Sequence, residues 1–389
     1  MISFDNTQIA FQSKSNTQLF RAFFLFKVIS SNKMVRVTNK LLAGALNWGI
    51  PIKWLVKPTV YGHFVGGESI NECQKAVRHL EKFGVKAILD YSVEGKESLA
   101  DIRNALSETL KSIENAGKDK NIPFAVFKPT AFTTSIVLEK VSAGVPLSLS
   151  EENEANQFRS RVNQLCEAAF KAGVPILIDA EDSWYQNFID EVVESMQEEY
   201  NKERVIVYNT LQMYRHDRLE FLEKSYEKAV KGGYFLGIKF VRGAYMEKER
   251  ARAEEKGYPS PIQPDKESTD RDYNAGLKFC LDHIDRISVF NGTHNEYSSA
   301  YLAQLMQENG LATNDSRIFF AQLFGMSDHI SFNLANQGYN VAKYVPYGPV
   351  KHVMPYLFRR AEENTSVAGQ TGRELRLLTA ERNRRRSGK

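Results

Sequence analysis

Short apolar runs recur along most of the chain: Ala87–Tyr91, Pro123–Phe127, Pro175–Asp179, Arg204–Tyr208, Phe235–Val241, Ile287–Phe290, Arg317–Phe320 and Tyr339–Tyr344. Each is too short and too continuously apolar for a surface helix, and each suits a strand buried on both faces. Between them lie stretches with apolar residues three and four apart, among them Ile70–Phe83, Ser98–Ala116, Glu154–Ala172, Arg218–Lys231 and Tyr297–Asn309. That spacing predicts amphipathic helices. Eight strand–helix units in succession predict a parallel sheet covered by helices. They fit a distorted (β/α)8 TIM-type barrel better than an open sheet. Two connections are long, Lys128 to about Asn156 and Arg242 to about Tyr273. Long loops after barrel strands belong at the C-terminal face, where barrel active sites are built.

The ends of the chain read differently. Gln18–Ile29 and Val35–Ala45 have helical apolar spacing, and Gly49-Ile-Pro51 stops the second, so residues 1–60 are expected to form a helical arm. The barrel is then expected over 61–370 and a basic tail over 371–389. Arg373 to Lys389 carries far more Lys and Arg than acid and ends in Arg384-Arg385-Arg386. Such a terminus is expected to fray into solvent. The functional alternative is peripheral contact with anionic lipid headgroups.

Composition narrows the class. Hydrophobic residues make up 42% of the chain and charged residues 25%, in the range of globular proteins with a large core. A net charge of +4 is too small to imply a nucleic-acid partner, and a protein using its tail on RNA would leave the polar strand ends unexplained. Cys73, Cys166 and Cys280 are odd in number, far apart and in no CxxC, which argues against a disulfide framework. No apolar run reaches the length of a membrane span; Phe20–Phe26 is the nearest and predicts one or two helical turns with a buried face. No secretory leader is evident. The histidines have no metal-ligand spacing, and no metal is expected. Neither a Gly-x-Gly-x-x-Gly nor a phosphate-binding loop occurs, so a Rossmann site is not expected.

Polar groups stand where the strands should end: Asp90, Lys128, Asp179-Ala180-Glu181, Gln212, Lys239 with Arg242, Thr293-His294-Asn295, Gln322 and Tyr344. Strand ends are polar by default, but nearly every strand contributes one here. Farther on, Tyr356, Arg359, Arg360 and Glu363 share one face of a helix, and adjacent guanidinium forks suit a carboxylate or phosphate. The charges are mostly positive, with Asp179 and Glu363 as counterweights, which predicts an anionic substrate, an anionic cofactor, or both. Gly243-Ala244 after Lys239 would let a bulky ligand approach the backbone, or would simply permit a turn. On these residues alone, a cofactor-free lyase with Lys128 or Lys239 as Schiff-base nucleophile remains open.

Five segments carry a resemblance. Lys239-Phe-Val-Arg-Gly-Ala-Tyr245, Ile-Asp-Ala-Glu181, Thr-His-Asn295, Tyr-Val-Pro-Tyr-Gly348 and Tyr-Leu-Phe-Arg-Arg-Ala-Glu-Glu363 resemble, in order, the signature segments of proline dehydrogenases. The Lys239-Phe-Val-Arg242 form is most similar to the stand-alone, eukaryote-like branch. The resemblance implies non-covalent FAD, oxidation of L-proline to Δ1-pyrroline-5-carboxylate, and electrons passed to a membrane quinone. It also implies a pyrroline-5-carboxylate dehydrogenase as a possible partner. The location implied is the bacterial cytoplasm, peripheral to the inner membrane, or the mitochondrial matrix face. Arg359 and Arg360 would clamp the proline carboxylate with Lys128 nearby, and Glu363 and Asp179 would orient these cations. Tyr344, Tyr356, Tyr245 and Phe240 would wall the ring. Lys239 would stand beside the flavin, and Ala180, Gln212, Val241, Arg242, Gly243, Ala244, Thr293, His294, Asn295 and Gln322 would line it. Tyr344 favours proline, because similar hydroxyproline dehydrogenases carry a small residue there. A family member acting on hydroxyproline or another cyclic imino acid is the alternative.

Overall fold

The computed structural model describes residues 2–30, 57–92, 98–366 and 368–388. The expected helix Val35–Ala45 and its Gly49–Pro51 stop lie outside the described residues. Strands β1 (Lys86–Tyr91), β2 (Ala125–Phe127), β3 (Ile176–Ile178), β4 (Val207–Gln212), β5 (Leu236–Val241), β6 (Ile287–Gly292), β7 (Ile318–Leu323) and β8 (Val341–Tyr347) form one sheet. Its order is β1-β8-β7-β6-β5-β4-β3-β2, with helices between successive strands, as in a (β/α)8-type barrel.

Two compact units are distinguished by their internal packing. The first comprises residues 95–320. Its helices are labelled α4 (Leu99–Lys118), α5 (Ser135–Ser142), α6 (Leu149–Ala172), α7 (Ser183–Tyr200), α8 (Arg218–Gly232), α9 (Met246–Lys256), α10 (Lys266–Asp282) and α11 (Glu296–Glu308). Strands β2 to β6 pair in parallel, with Thr210 opposite Lys239 and Gln212 opposite Val241. The two long connections are not bare loops: α5 and α9 fill them. Strand β4 begins three residues later than its apolar run suggests. The Asn201 side chain accepts from the backbone N–H of Ile206 and Val207, occupying that segment, and the ladder then runs on through Asn209, Thr210 and Gln212. Around Phe124, the rings of Tyr208, Phe290 and Phe319 pack edge-on with centroids 5.5, 5.2 and 4.8 Å away. This aromatic layer fills the strand interior below the polar ends.

The second unit joins residues 2–94 to 321–389. It contains α1 (Thr7–Ala10), α2 (Asn16–Ile29), α3 (Ile70–Glu81), α12 (Asp328–Asn336), α13 (Val350–Ser366) and α14 (Ala368–Arg386). Within it β1 pairs in parallel with β8, placing Ile88 opposite Tyr344. The basic tail is not a frayed strand of charge, as its composition suggested, but the helix α14. Leu377 and Leu378 bury against Ala10, Phe11, Leu19, Ala22 and Phe26 of the N-terminal helices. Glu381, fully buried, accepts from Thr7 Oγ1 at 3.0 Å and from Arg384 and Arg385. Arg385 also donates to the carbonyls of Phe11 and Lys14. Arg385 thereby joins the tail helix to the N-terminal segment, while Arg384 holds Glu381 within α14.

Candidate active site

In the first unit the chemistry gathers at the C-terminal ends of β2, β3 and β5. Asp179 follows β3, Lys128 follows β2, and Lys239 lies in β5. Lys239 Nζ donates to Asp179 Oδ1 at 2.6 Å, while Lys128 Nζ stands 3.4 Å from Oδ2. One carboxylate thus serves two ammonium groups, one on each oxygen. Burial alone would raise the Asp179 pKa, but the pull of Lys239 and Lys128 holds it below the usual carboxylate range. Asp179 is therefore an anion at neutral pH, with two lysines set against its single carboxylate.

Strand alternation sorts the neighbours. Thr210 and Lys239 are opposite in register, as are Gln212 and Val241, so these four share the face that carries Lys239. Gln212, at the end of β4, is buried, and its Oε1 accepts no hydrogen bond among the described residues. Phe240 necessarily points the other way. It is fully buried, packs on Tyr273 of α10 with ring centroids 5.8 Å apart, and lies against Gly276. The expectation that Phe240 walls a substrate ring is therefore corrected: its side chain is part of the strand–helix core.

Arg242 is held on three sides. Nε donates to Asp270 Oδ1 at 2.8 Å, Nη1 to Thr293 Oγ1 at 2.7 Å and Nη2 to Ser298 Oγ at 2.9 Å, with the guanidinium 4.3 Å above the Tyr273 ring. It ties the end of β5 to α10 and α11. Asn295 caps α11 by accepting from Ser298 N, and Thr293 Oγ1 accepts from Asn295 N. His294 is half-buried between them. Asp179 is followed by Ala180, and Glu181 accepts from Thr130 N and Oγ1, both at 2.7 Å, fixing the loop after β2. Sequence reasoning missed Asp270, Ser298 and the Thr130–Glu181 clasp. Each is a pairing over tens of residues with no local pattern to announce it.

Gly243 has φ +121°, and a Cβ there would sit 2.5 Å from the Tyr214 ring. Gly243, Ala244 and Tyr245 then lead into α9, with Gly243 and Ala244 exposed. Gly243→Ala is expected to cost about 1–3 kcal/mol in backbone strain, read as a lowered Tm. An unchanged Tm would show that the loop relaxes freely.

The second unit holds the remaining predicted residues. Gln322 lies in β7, buried, accepting from Ser331 Oγ at 2.7 Å. Tyr344 is buried in β8, and its carbonyl accepts from Phe324 N. Tyr356 is buried on α13 in a cluster with Tyr61, Phe64, Val353, Met354 and Leu357. Arg359, one turn on, is half-buried. Arg360 and Glu363 continue the same helix, but their side chains lie outside the described residues. No group of three or more His, Cys, Asp or Glu able to hold a metal occurs among the described residues.

Residues 73–373 match the family model described as proline dehydrogenase. The chain is 32% identical to proline dehydrogenase 1, mitochondrial, of Dictyostelium discoideum, covering 98% of this chain and 74% of that one. It is 32% identical to hydroxyproline dehydrogenase of Xenopus laevis, over 96% and 88% of the two chains. It is also 34% identical to the carbapenem antibiotics biosynthesis protein CarD of Pectobacterium carotovorum, over 84% of each. Among solved structures, proline utilization A from Bdellovibrio bacteriovorus superposes with a TM-score of 0.74 at 20% identity, over 96% of this chain but only 40% of that longer one. The fold is that of these barrel domains, and the chain belongs to the proline dehydrogenase family of oxidoreductases.

Proposed function

We propose that the protein oxidises L-proline to Δ1-pyrroline-5-carboxylate using bound FAD and passes the electrons to a membrane quinone. The observation that carries this reading is the Lys128–Asp179–Lys239 array on the face that also presents the unmet Gln212 acceptor. A flavin fits these residues. Its imide N–H matches a buried carbonyl oxygen lacking a donor, and the exposed Gly243-Ala244 backbone leaves room for a large planar group. When bound, FAD supplies the two-electron acceptor that the amino acid side chains lack.

The chain's own residues bind, orient and hold charge. Lys239, hydrogen-bonded to Asp179, would offer positive charge to the flavin. Val241, Ala180, Thr293 and His294 line that ring. Arg242, Asn295 and Gln322 would line the flavin as well, each held in place by its bonds to Asp270, to the Ser298 N–H and to Ser331 respectively. Arg359 and Arg360 clamp the proline carboxylate, with Glu363 orienting the pair and Lys128 adding charge. Tyr344, Tyr356 and Tyr245 wall the pyrrolidine ring. The substrate amine must lose its proton to water before the electrons leave, and nearby cations lower its pKa. Tyr344 keeps the bulk that disfavours a 4-hydroxyl, so proline is preferred to hydroxyproline. The product is a cyclic imine, which a pyrroline-5-carboxylate dehydrogenase would consume. The quinone pool would be met at the bacterial inner membrane or the mitochondrial matrix face; no helix among the described residues is long and apolar enough to cross a membrane.

The test is the visible spectrum of the purified protein, bleached on anaerobic addition of proline. Arg359→Met is expected to raise KM for proline about ten- to a hundredfold, the cost of one charge-assisted bidentate contact, with flavin content unchanged. A wild-type KM in that variant removes Arg359 from the clamp.

A further inference from the structure

Helix α2 buries one stripe, Leu19, Ala22, Phe26 and Ile29, and should turn polar residues outward on the other. It does not. Phe20 and Phe24, one turn apart, are 54% and 60% exposed. No other helix among the described residues exposes two phenylalanines. Lys27 continues the stripe at i+3 from Phe24, and exposed Arg21 flanks it.

Helix α14 adds to the same face. The Arg382 guanidinium lies over the Phe23 ring at 4.1 Å and the Phe20 ring at 5.2 Å, and Arg386, one turn on, is exposed. Arg376 is exposed as well. Neither helix offers a carboxylate to solvent. Helix α2 contains none, and both of those on the described part of α14, Glu374 and Glu381, are buried. The surface is therefore aromatic at its centre and cationic around it.

We propose that this α2–α14 face is where the protein lies on an anionic lipid bilayer. Phe20 and Phe24 enter the headgroup–acyl boundary, while Arg21, Lys27, Arg382 and Arg386 meet lipid phosphates. A second copy of the chain is a poor occupant, because a symmetric contact sets cation against cation. Two adjacent phenylalanines more than half exposed to water are also unfavourable. The inference rests on the proposed function only for the purpose of the contact, access to a quinone. It also moves the contact from the tail's terminal arginines, of which Arg384 and Arg385 are engaged with Glu381, to a two-helix face.

The experiment is co-sedimentation of the full chain with vesicles of phosphatidylcholine alone or mixed with phosphatidylglycerol. Binding is expected to the mixed vesicles, to weaken with salt, and to fall by at least about tenfold in Phe20→Ser/Phe24→Ser. Arg21→Glu/Lys27→Glu should lose most of the salt-dependent part. All four residues are exposed, so Tm and proline-dependent reduction of a soluble dye should stay at wild-type values. Equal binding by the phenylalanine variant overturns the proposal, as does absence of wild-type binding, or self-association that the same variant abolishes. Dye reduction reads the enzyme separately, so a failed vesicle result and a failed catalytic reading are told apart.

Discussion

Asp179→Asn is expected to slow proline-dependent flavin reduction by roughly 10²–10³-fold, the largest catalytic effect of any single substitution in the Lys128–Asp179–Lys239 array. The carboxylate lies between Lys239, 2.6 Å away and almost wholly shielded from water, and Lys128 at 3.4 Å. Removing one member of a buried charge pair costs about 3–5 kcal/mol, because the charge left behind has lost both water and counter-charge. An asparagine would still fill the space. It would leave two lysines repelling each other with no shared counter-charge to hold them in place. In the proposed reaction a displaced Lys239 would no longer face the flavin, so the defect should lie in the reductive half-reaction and not in KM alone. Rapid mixing with proline and measurement of bleaching separates the two. A rate within threefold or so of wild type would mean that the array is a structural tie and nothing more. The pH dependence has a definite sign. Asp179 is depressed in the folded protein, so its contribution is present above the ordinary aspartate range, near pH 3.9, and is lost as pH falls through its folded value. The wild-type rate should therefore show no acidic limb from this residue around neutrality.

Much of this array could be seen in the chain before any coordinates, because its parts lie where local pattern is strongest. Asp179, Lys128 and Lys239 each sit in or just after a continuous apolar run, and such runs mark buried strands whatever the tertiary context. Strand β4 shows where that reasoning weakens. Its apolar run, Arg204–Tyr208, precedes most of the true ladder because the Asn201 side chain competes for the N–H groups of Ile206 and Val207. The ladder's last four residues, Asn209-Thr210-Leu211-Gln212, lack the apolar run that marks the other strands. Phe240 erred for a different reason. A resemblance gives residue identity without direction, whereas period-2 alternation sends Phe240 to the face opposite Lys239, and the Tyr273 contact follows from that. The tail was misjudged because its charge looked surplus. Glu381 and Thr7 are 374 positions apart, and nothing in either segment announces the other. The ties of Arg242 to Asp270, Thr293 and Ser298 likewise have no local signal in the chain.

The same electrostatic logic in the second unit predicts the largest loss of stability. Lys343, in the middle of β8, is almost completely buried, with Nζ 2.9 Å from Asp328 Oδ1; Lys14 reaches Oδ2 of the same carboxylate at 2.8 Å. Asp328→Asn is expected to destabilise the fold by about 3–5 kcal/mol, which for a chain of this size is a fall in Tm on the order of 10 °C. Lys343 would retain its bonds to the Met326 and Leu323 carbonyls, but these share a charge that they cannot neutralise. Burial already lowers the Lys343 pKa, with Asp328 as the main opposing influence, so the variant lysine should become neutral at a lower pH. Lys343→Met in the same background removes the stranded charge and should recover a substantial part of the loss, since an apolar side chain of similar length needs no counter-ion. Were the double variant as unstable as Asp328→Asn alone, the deficit would come from Lys14 or from α12 packing instead. Asp328 is strongly depressed despite its burial, because the two lysines outweigh desolvation. Its stabilisation is therefore present above about pH 3.9 and fades as pH drops through the folded value. On acidification the wild-type protein should lose stability faster than Asp328→Asn, so that the two melting curves approach each other; parallel curves would show that the Asp328 carboxylate is not the group being titrated.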